Sequence, residues 1–246
     1  MKSFDSKNVN SSNLTRTFLV LLLLTIFACK ESEVEPVIPD NVERISLVLD
    51  YEAGFGGYVY PVYNPYVFFR DNMVVKEPKV PIEELNLEAL TTDQASRWGT
   101  WTQSGELFNI TWSNGSTSEK STSQIHPAYP ALKGEALNGY YASFEGGGNI
   151  AFGGSVGIVA LSSFTFTADG RFTNEKLGGG SSSNSAAFNK QNTAGTYILD
   201  DYAIELLYNS GDSKKLFFCF YSSAEDRQLE PDEIVFRIAG RAYVSR

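Results

Sequence analysis

Two stretches of this chain repeat the same order of aromatic residues, turn and glycine, and that repetition limits the fold more than any other feature. Gly99-Thr100-Trp101 lies sixteen residues before Gly115, and Gly195-Thr196-Tyr197 lies sixteen residues before Gly211. Trp112 then falls opposite Tyr208, and Phe108 opposite Ile204. Upstream, Tyr66, Phe68 and Asp71 fall opposite Phe164, Phe166 and Asp169, with Glu77 opposite Glu175. The offset is 98 in the upstream block and 96 in the downstream one. Shared turn chemistry alone would give isolated matches; the joint order points to an internal duplication.

The local pattern inside each copy is that of strands. Arg44 to Asp50 alternates, Tyr66 to Phe69 leads through Arg70-Asp71-Asn72 into Met73 to Glu77, and Arg97–Thr102, Glu106–Trp112 and Ser116–Lys120 follow. Asn114-Gly115 supplies residues that accept positive φ, as a tight hairpin requires. The second copy runs through Tyr140–Phe144, Gly157–Ala168, a turn at Asp169-Gly170, Gly195–Leu199, Tyr202–Tyr208, Ser213–Phe220, Glu233–Ile238 and Arg241–Val244. Pro81–Ser96 is the one helical candidate. Seventeen Phe, thirteen Tyr and twenty-one Gly against two Met fit pleated sheet better than helix. The reading is therefore all-β: antiparallel up-and-down meanders, 43–124 and 135–246, joined by a linker at 125–134. A short meander leaves two open edges, so the halves either pack together or close into barrels.

Leu137-Asn138-Gly139-Tyr140-Tyr141, Gly99-Thr100-Trp101 and the run Gly195-Thr-Tyr-Ile-Leu-Asp-Asp-Tyr-Ala-Ile-Glu-Leu, with Gly211 and a Phe-rich strand behind it, carry a resemblance. They are similar to the Gly-x-Trp or Gly-x-Tyr strands of lipocalin-like β-barrel domains in secreted bacterial proteins. The resemblance covers 135–246 and, less closely, 43–124. It implies a lipocalin-like barrel.

The N-terminus reads as an address. Arg16 precedes an apolar run, residues 17–28, that is shorter than the about 20 residues of a membrane span and fits a secretory signal. Ile26-Phe27-Ala28-Cys29 resembles the bacterial lipobox, which implies cleavage before Cys29 and lipid on its thiol; Phe27 stands where a small residue is usual. Two or more acyl chains make such an anchor stable, at about 0.8 kcal/mol for each buried methylene. The acidic, Pro-containing segment 29–42 then reads as a tether. No Asp follows Cys29 directly, so the expected location is the outer membrane, either surface-exposed or facing the periplasm.

Charge narrows the partners. The chain carries −9, and removal of residues 1–28 (Lys2, Lys7 and Arg16 against Asp5) leaves −11. Such a surface repels phosphate backbones, which argues against nucleic acid. The lone histidine, His126, reads as a solvated loop side chain and rules out a multi-His zinc site. Cys219, within Leu216-Phe-Phe-Cys-Phe220, reads as a buried structural thiol with no disulfide partner once Cys29 is acylated. Glu145-Gly-Gly-Gly-Asn149 and Gly178-Gly-Gly-Ser-Ser-Ser183 read as a turn and a loop, without the lysine of a phosphate loop. Asp200-Asp201 and the cluster Glu225, Asp226, Glu230, Asp232 and Glu233 lack regular calcium-loop spacing and read as solvated charge.

No cofactor, no metal and no catalytic group is expected. Trp98, whose counterpart is Ala194, and Tyr58 and Tyr60 beside Pro61 are the candidate ligand contacts. The expected function is a membrane-anchored, non-enzymatic β-barrel module for binding a small apolar molecule or glycan, or for scaffolding. The alternatives are a carboxylate-dependent hydrolase and a purely structural envelope protein.

Overall fold

The computed structural model describes residues 38–53, 59–86, 94–148, 157–182, 185–222, 227, 229 and 234–245. Residues 36–246 form one compact unit. Its strands are β1 Val42–Ala53, β2 Val59–Phe69, β3 Met73–Lys76, β4 Trp98–Ser104, β5 Leu107–Trp112, β6 Thr117–Ser121, β7 Ile125–Tyr129, β8 Gly139–Gly148, β9 Gly157–Thr167, β10 Arg171–Ser182, β11 Ser185–Asp200, β12 Ala203–Tyr208, β13 Ser213–Tyr221, β14 Val235–Ile238 and β15 Arg241–Ser245. Strands β8 to β15 each pair with the next, and β15 returns to β8, so these eight antiparallel strands close a barrel. The all-β, lipocalin-like barrel expected from the sequence is present. Strands β1 to β6 form a second meander. Strand β7 pairs with β1 on one side and with Phe220 and Tyr221 of β13 on the other, which joins meander to barrel.

The registers of the two meanders repeat. Tyr66 pairs with Lys76 as Phe164 pairs with Asn174, and Val74 with Gly99 as Phe172 with Gly195. Gly99 pairs with Trp112 as Gly195 with Tyr208, and Phe108 with Lys120 as Ile204 with Leu216. These are the offsets of 98 and 96 read from the sequence. The shared glycine has a steric cause. A Cβ at Gly99 would lie 2.2 Å from the Thr111 carbonyl oxygen, and one at Gly195 would lie 1.9 Å from that of Leu207. Only glycine lets the next strand cross so closely. The correspondence stops after Lys76: Glu77 has φ 49° and ends β3, whereas β10 continues through Glu175 to Ser182.

Strand alternation builds three cores. Phe164, Phe166, Phe172, Tyr197, Phe218, Phe220 and Phe236 fill the barrel interior. Phe217 and Cys219, on the opposite face of β13, pack with Val42, Leu47, Val67 and Phe69 between barrel and meander. The other face of the meander buries Val48, Tyr66, Phe68, Phe108, Ile110 and Trp112. Strand β13 is thus buried on both faces, which explains its unbroken apolar run. The Cys219 thiol is fully buried, and burial pushes its pKa up to about 12.

Several local expectations are corrected. The glycine tracts are not loops: Gly146 lies in β8, and Gly178 to Gly180 lie in β10. A Cβ at Gly179 would meet the Ala187 carbonyl oxygen at 2.3 Å and the Phe188 ring at 2.4 Å, so close strand approach explains that glycine. At the Asn114-Gly115 turn only Gly115 has positive φ, 83°. The Asn114 side chain instead accepts from the Ser116 amide at 2.9 Å, an Asx arrangement. His126 is no loop residue; it sits half-buried in β7, edge-on to Tyr63 at 5.1 Å. Within Pro81–Ser96 the described residues hold a short 3-10 turn at Ile82–Glu84 and 3-10 conformation again at Gln94. Strand β2 begins at Val59, upstream of the Tyr66 start read from the sequence. The Pro65 carbonyl accepts from the Glu77 amide, so the proline nitrogen faces that same flank, just beyond the last β2–β3 pair, Tyr66 with Lys76.

Candidate functional site

The barrel is packed at one end and open at the other. Along β13 the inward face reads Lys214, Leu216, Phe218, Phe220; along β10 it reads Lys176, Asn174, Phe172; along β12, Tyr208, Leu206, Ile204. Each strand passes from polar to apolar with depth. The aromatic rings fill the deep half. Above them lies a buried polar layer: Tyr243 Oη donates to or accepts from Ser162 Oγ at 3.0 Å, and Asn174 Nδ2 donates to Ser162 Oγ at 3.3 Å and to the Ser163 carbonyl at 2.9 Å.

Above that layer is a cavity of about 1000 Å³. Phe164, Leu206, Leu216, Ile238, Tyr208 and Tyr243 line it from the barrel, and it runs past the β14–β15 turn to Glu52, Tyr60, Val62 and Asn64 of the first meander. Its described lining carries six cationic side chains, Lys79, Arg97, Lys176, Lys214, Arg237 and Arg241, against three carboxylates, Glu52, Glu77 and Glu145. All three carboxylates have partners. Glu145 is held by Arg241 at 2.7 and 2.5 Å, Glu77 by Lys79 and Arg97 at 3.4 and 3.6 Å, and Glu52 accepts from Asn64 at 2.9 Å. Lys176 and Lys214 have no carboxylate within salt-bridge distance among the described residues. Partial burial, then the Lys214 and Arg241 charges, hold the Lys176 ammonium below the ordinary lysine range.

Behind Asn64, on the meander side, is an ionic cluster whose members lie far apart along the chain. Buried Asp50 accepts from Lys76 Nζ at 2.7 Å, Lys120 Nζ at 2.8 Å, Tyr66 Oη at 3.0 Å and Asn64 Nδ2 at 3.1 Å. Burial alone would raise the Asp50 carboxyl, but its bonds to Lys120 and Lys76 hold it below the usual carboxylate range. Burial and the Asp50 charge push the Tyr66 phenol strongly up, so it is a donor at any physiological pH. Lys120 Nζ also donates to the Leu49 carbonyl at 2.7 Å. The cluster ties β6 to β1 where no strand ladder joins them among the described residues.

Of the contacts expected from sequence, Tyr60 lines the cavity; burial and the Glu52 and Glu145 charges raise its phenol. Trp98 packs, half-buried, against the core between meander and barrel, and its Nε1 is buried without a partner. Trp101 and Trp112 donate to the Phe69 carbonyl at 3.1 Å and to Ser118 Oγ at 3.2 Å. Tyr58, Cys29 and the acidic cluster at 225, 226, 230, 232 and 233 lie outside the described residues. No group of three metal-ligating side chains comes together among the described residues. Lys176, Lys214 and Arg241 were not anticipated as site residues. The one local signal was the inward parity of Lys214 with Leu216, Phe218 and Phe220.

The fold and the cavity define a class: a closed eight-stranded antiparallel barrel with an open, positively charged mouth, carrying a companion meander of the same register. No protein-family profile, curated protein or solved structure matches the chain.

Proposed function

We propose that this chain is a bacterial envelope lipoprotein, anchored through lipid on Cys29, whose barrel holds a small molecule in its mouth without transforming it. The observation that carries the binding reading is the cavity of about 1000 Å³ over an aromatic floor. That volume is at the top of the range of small-molecule sites, about 300–1,000 Å³, and the lining joins apolar side chains to a set of charged ones able to orient a ligand. Every described carboxylate on the lining is engaged by a cation or an amide, which favours binding over hydrolysis by a free acid pair. The anchoring reading rests on Ile26-Phe27-Ala28-Cys29 behind the apolar run. It places the binding module outside the cytoplasm, at the outer membrane.

Two experiments test these readings separately. The fragment 36–246 contains all three cores and every strand of the described residues, so it is purified without detergent and weighed by native mass spectrometry. An adduct released on denaturation, and missing from a Leu216→Trp variant that fills the cavity, is the expected result; no adduct, together with no binding of an added apolar probe, contradicts it. Metabolic labelling with palmitate tests the anchor. Wild type takes up label and stays with membranes, Cys29→Ser does neither, and equal labelling of both chains contradicts lipidation.

A further inference from the structure

The cavity is charged against the rest of the molecule. The chain carries −9, yet the described lining holds six cations against three carboxylates. Arg241 is satisfied by Glu145, but Lys176 and Lys214 line the same mouth with no carboxylate paired to either among the described residues. Like charges brought together over an apolar floor repel, and low-dielectric walls around them strengthen that repulsion. A fold that holds them there without a carboxylate gains from an anion that enters with its own apolar body. Leu206 is paired with Lys214, Leu216 follows two residues deeper on the same face of β13, and Phe164, paired with Asn174, also lines the cavity.

We propose that the barrel mouth takes an amphiphile with an anionic head group, the head between Lys176, Lys214 and Arg241 and the apolar chain against Leu206, Leu216 and Phe164. This rests on the cavity being a binding site and specifies what it takes. A neutral glycan would leave the two lysines unneutralised, and a wholly apolar molecule would bury them further; the charge pattern favours neither. The head sits at the rim, where the lysines remain in contact with water and desolvation is incomplete, so the attraction is sensitive to salt.

The test is calorimetric titration of fragment 36–246 at low ionic strength with decanoate, with 1-decanol, which has the same chain and no charge, and with acetate, which has the charge and no chain. The expected result is decanoate binding at least tenfold more tightly than decanol, no measurable acetate binding, and a gap that narrows as salt is raised. In Lys176→Met/Lys214→Met the gap falls below twofold while decanol affinity holds; both lysines are exposed at the rim, so the fold survives. Equal affinity for decanoate and decanol overturns the anionic head group but leaves a binding cavity. Binding of neither overturns the cavity as well. A free acid and a membrane lipid share this chemistry, and incubation with phosphatidylglycerol vesicles separates them. Lipid carried off by the protein assigns the membrane as source; decanoate binding without lipid transfer assigns a free single-chain acid.

Discussion

The first meander and the barrel share register over four consecutive strand pairings and finish differently. In the barrel, β14 and β15 complete the circle between β13 and β8. In the first meander no strand joins β6 to β1 among the described residues, and Lys120 reaches across to the Leu49 carbonyl and to Asp50 instead. Identical hairpin chemistry therefore does not determine closure. Closure depends on whether further strands are available, and where they are not, side chains bridge the gap. The two solutions behave differently. A main-chain ladder spreads its contribution over many bonds. A buried ion cluster concentrates it on one carboxylate, whose removal strands two lysines in a poorly solvated place.

The largest effect should follow from breaking that cluster. Asp50→Asn should destabilise the protein by about 3–5 kcal/mol, the cost of leaving buried charge unpaired. All three tryptophans lie in β4 and β5, Trp101 and Trp112 in the meander core and Trp98 at its junction with the barrel, so their fluorescence reports on the meander and that junction. Tryptophan emission of the Asp50 variant should lose its protection at lower urea than the far-ultraviolet signal dominated by the barrel. Coincident transitions would mean that the halves unfold as one and that the contrast in closure has no separate consequence.

Next come the paired glycines. Gly99→Ala and Gly195→Ala place a methyl at 2.2 and 1.9 Å from a neighbouring carbonyl oxygen, so each should cost about 1–3 kcal/mol as strands shift apart. Similar losses in urea melts would support equivalence of the two positions; a neutral Gly99→Ala would break it.

The pH dependence is smaller and has a defined sign. The folded-state pKa of Asp50 lies below its ordinary value. Its contribution is complete above the unfolded-state value of about 3.9 and is lost as pH falls through the folded one. Wild type should therefore lose stability progressively below about pH 4 relative to Asp50→Asn, whose curve lacks this component. Parallel curves would show that the cluster does not stabilise the charged form. The smallest effect is at the Arg241–Glu145 ion pair of the barrel: Glu145 is about half exposed, so Glu145→Gln should cost about 0–1 kcal/mol.

Much of the fold was legible because hairpin chemistry is local. Gly99 and Gly195, Gly115 and Gly211, and the aromatic positions between them carry their register with them along the chain. Strand β7 was not legible: Ile125-His-Pro-Ala-Tyr129 reads as a connection, and it becomes a strand only because β1 and β13 offer it edges. The glycine tracts misled for a related reason, since a close strand crossing and a loose loop both call for glycine. The site was least legible. Asp50, Asn64, Lys76 and Lys120 come from four strands, and Lys176, Lys214 and Arg241 from three, so no spacing in the sequence brings either set together. Tyr60 was found because aromatics crowd the start of β2. Trp98 was singled out for lacking an aromatic counterpart, and its place in the core between the halves, which Ala194 in the barrel does not share, explains that asymmetry.

The barrel mouth, and not the meander, should hold the ligand. Titration of fragment 36–246 with the anionic apolar dye 1-anilinonaphthalene-8-sulfonate tests it directly. Fluorescence enhancement should saturate at one dye per chain, be displaced by decanoate, and be abolished in Leu216→Trp while persisting in Trp98→Phe. Saturable binding that survives in Leu216→Trp and disappears in Trp98→Phe would contradict it and move the site to the meander.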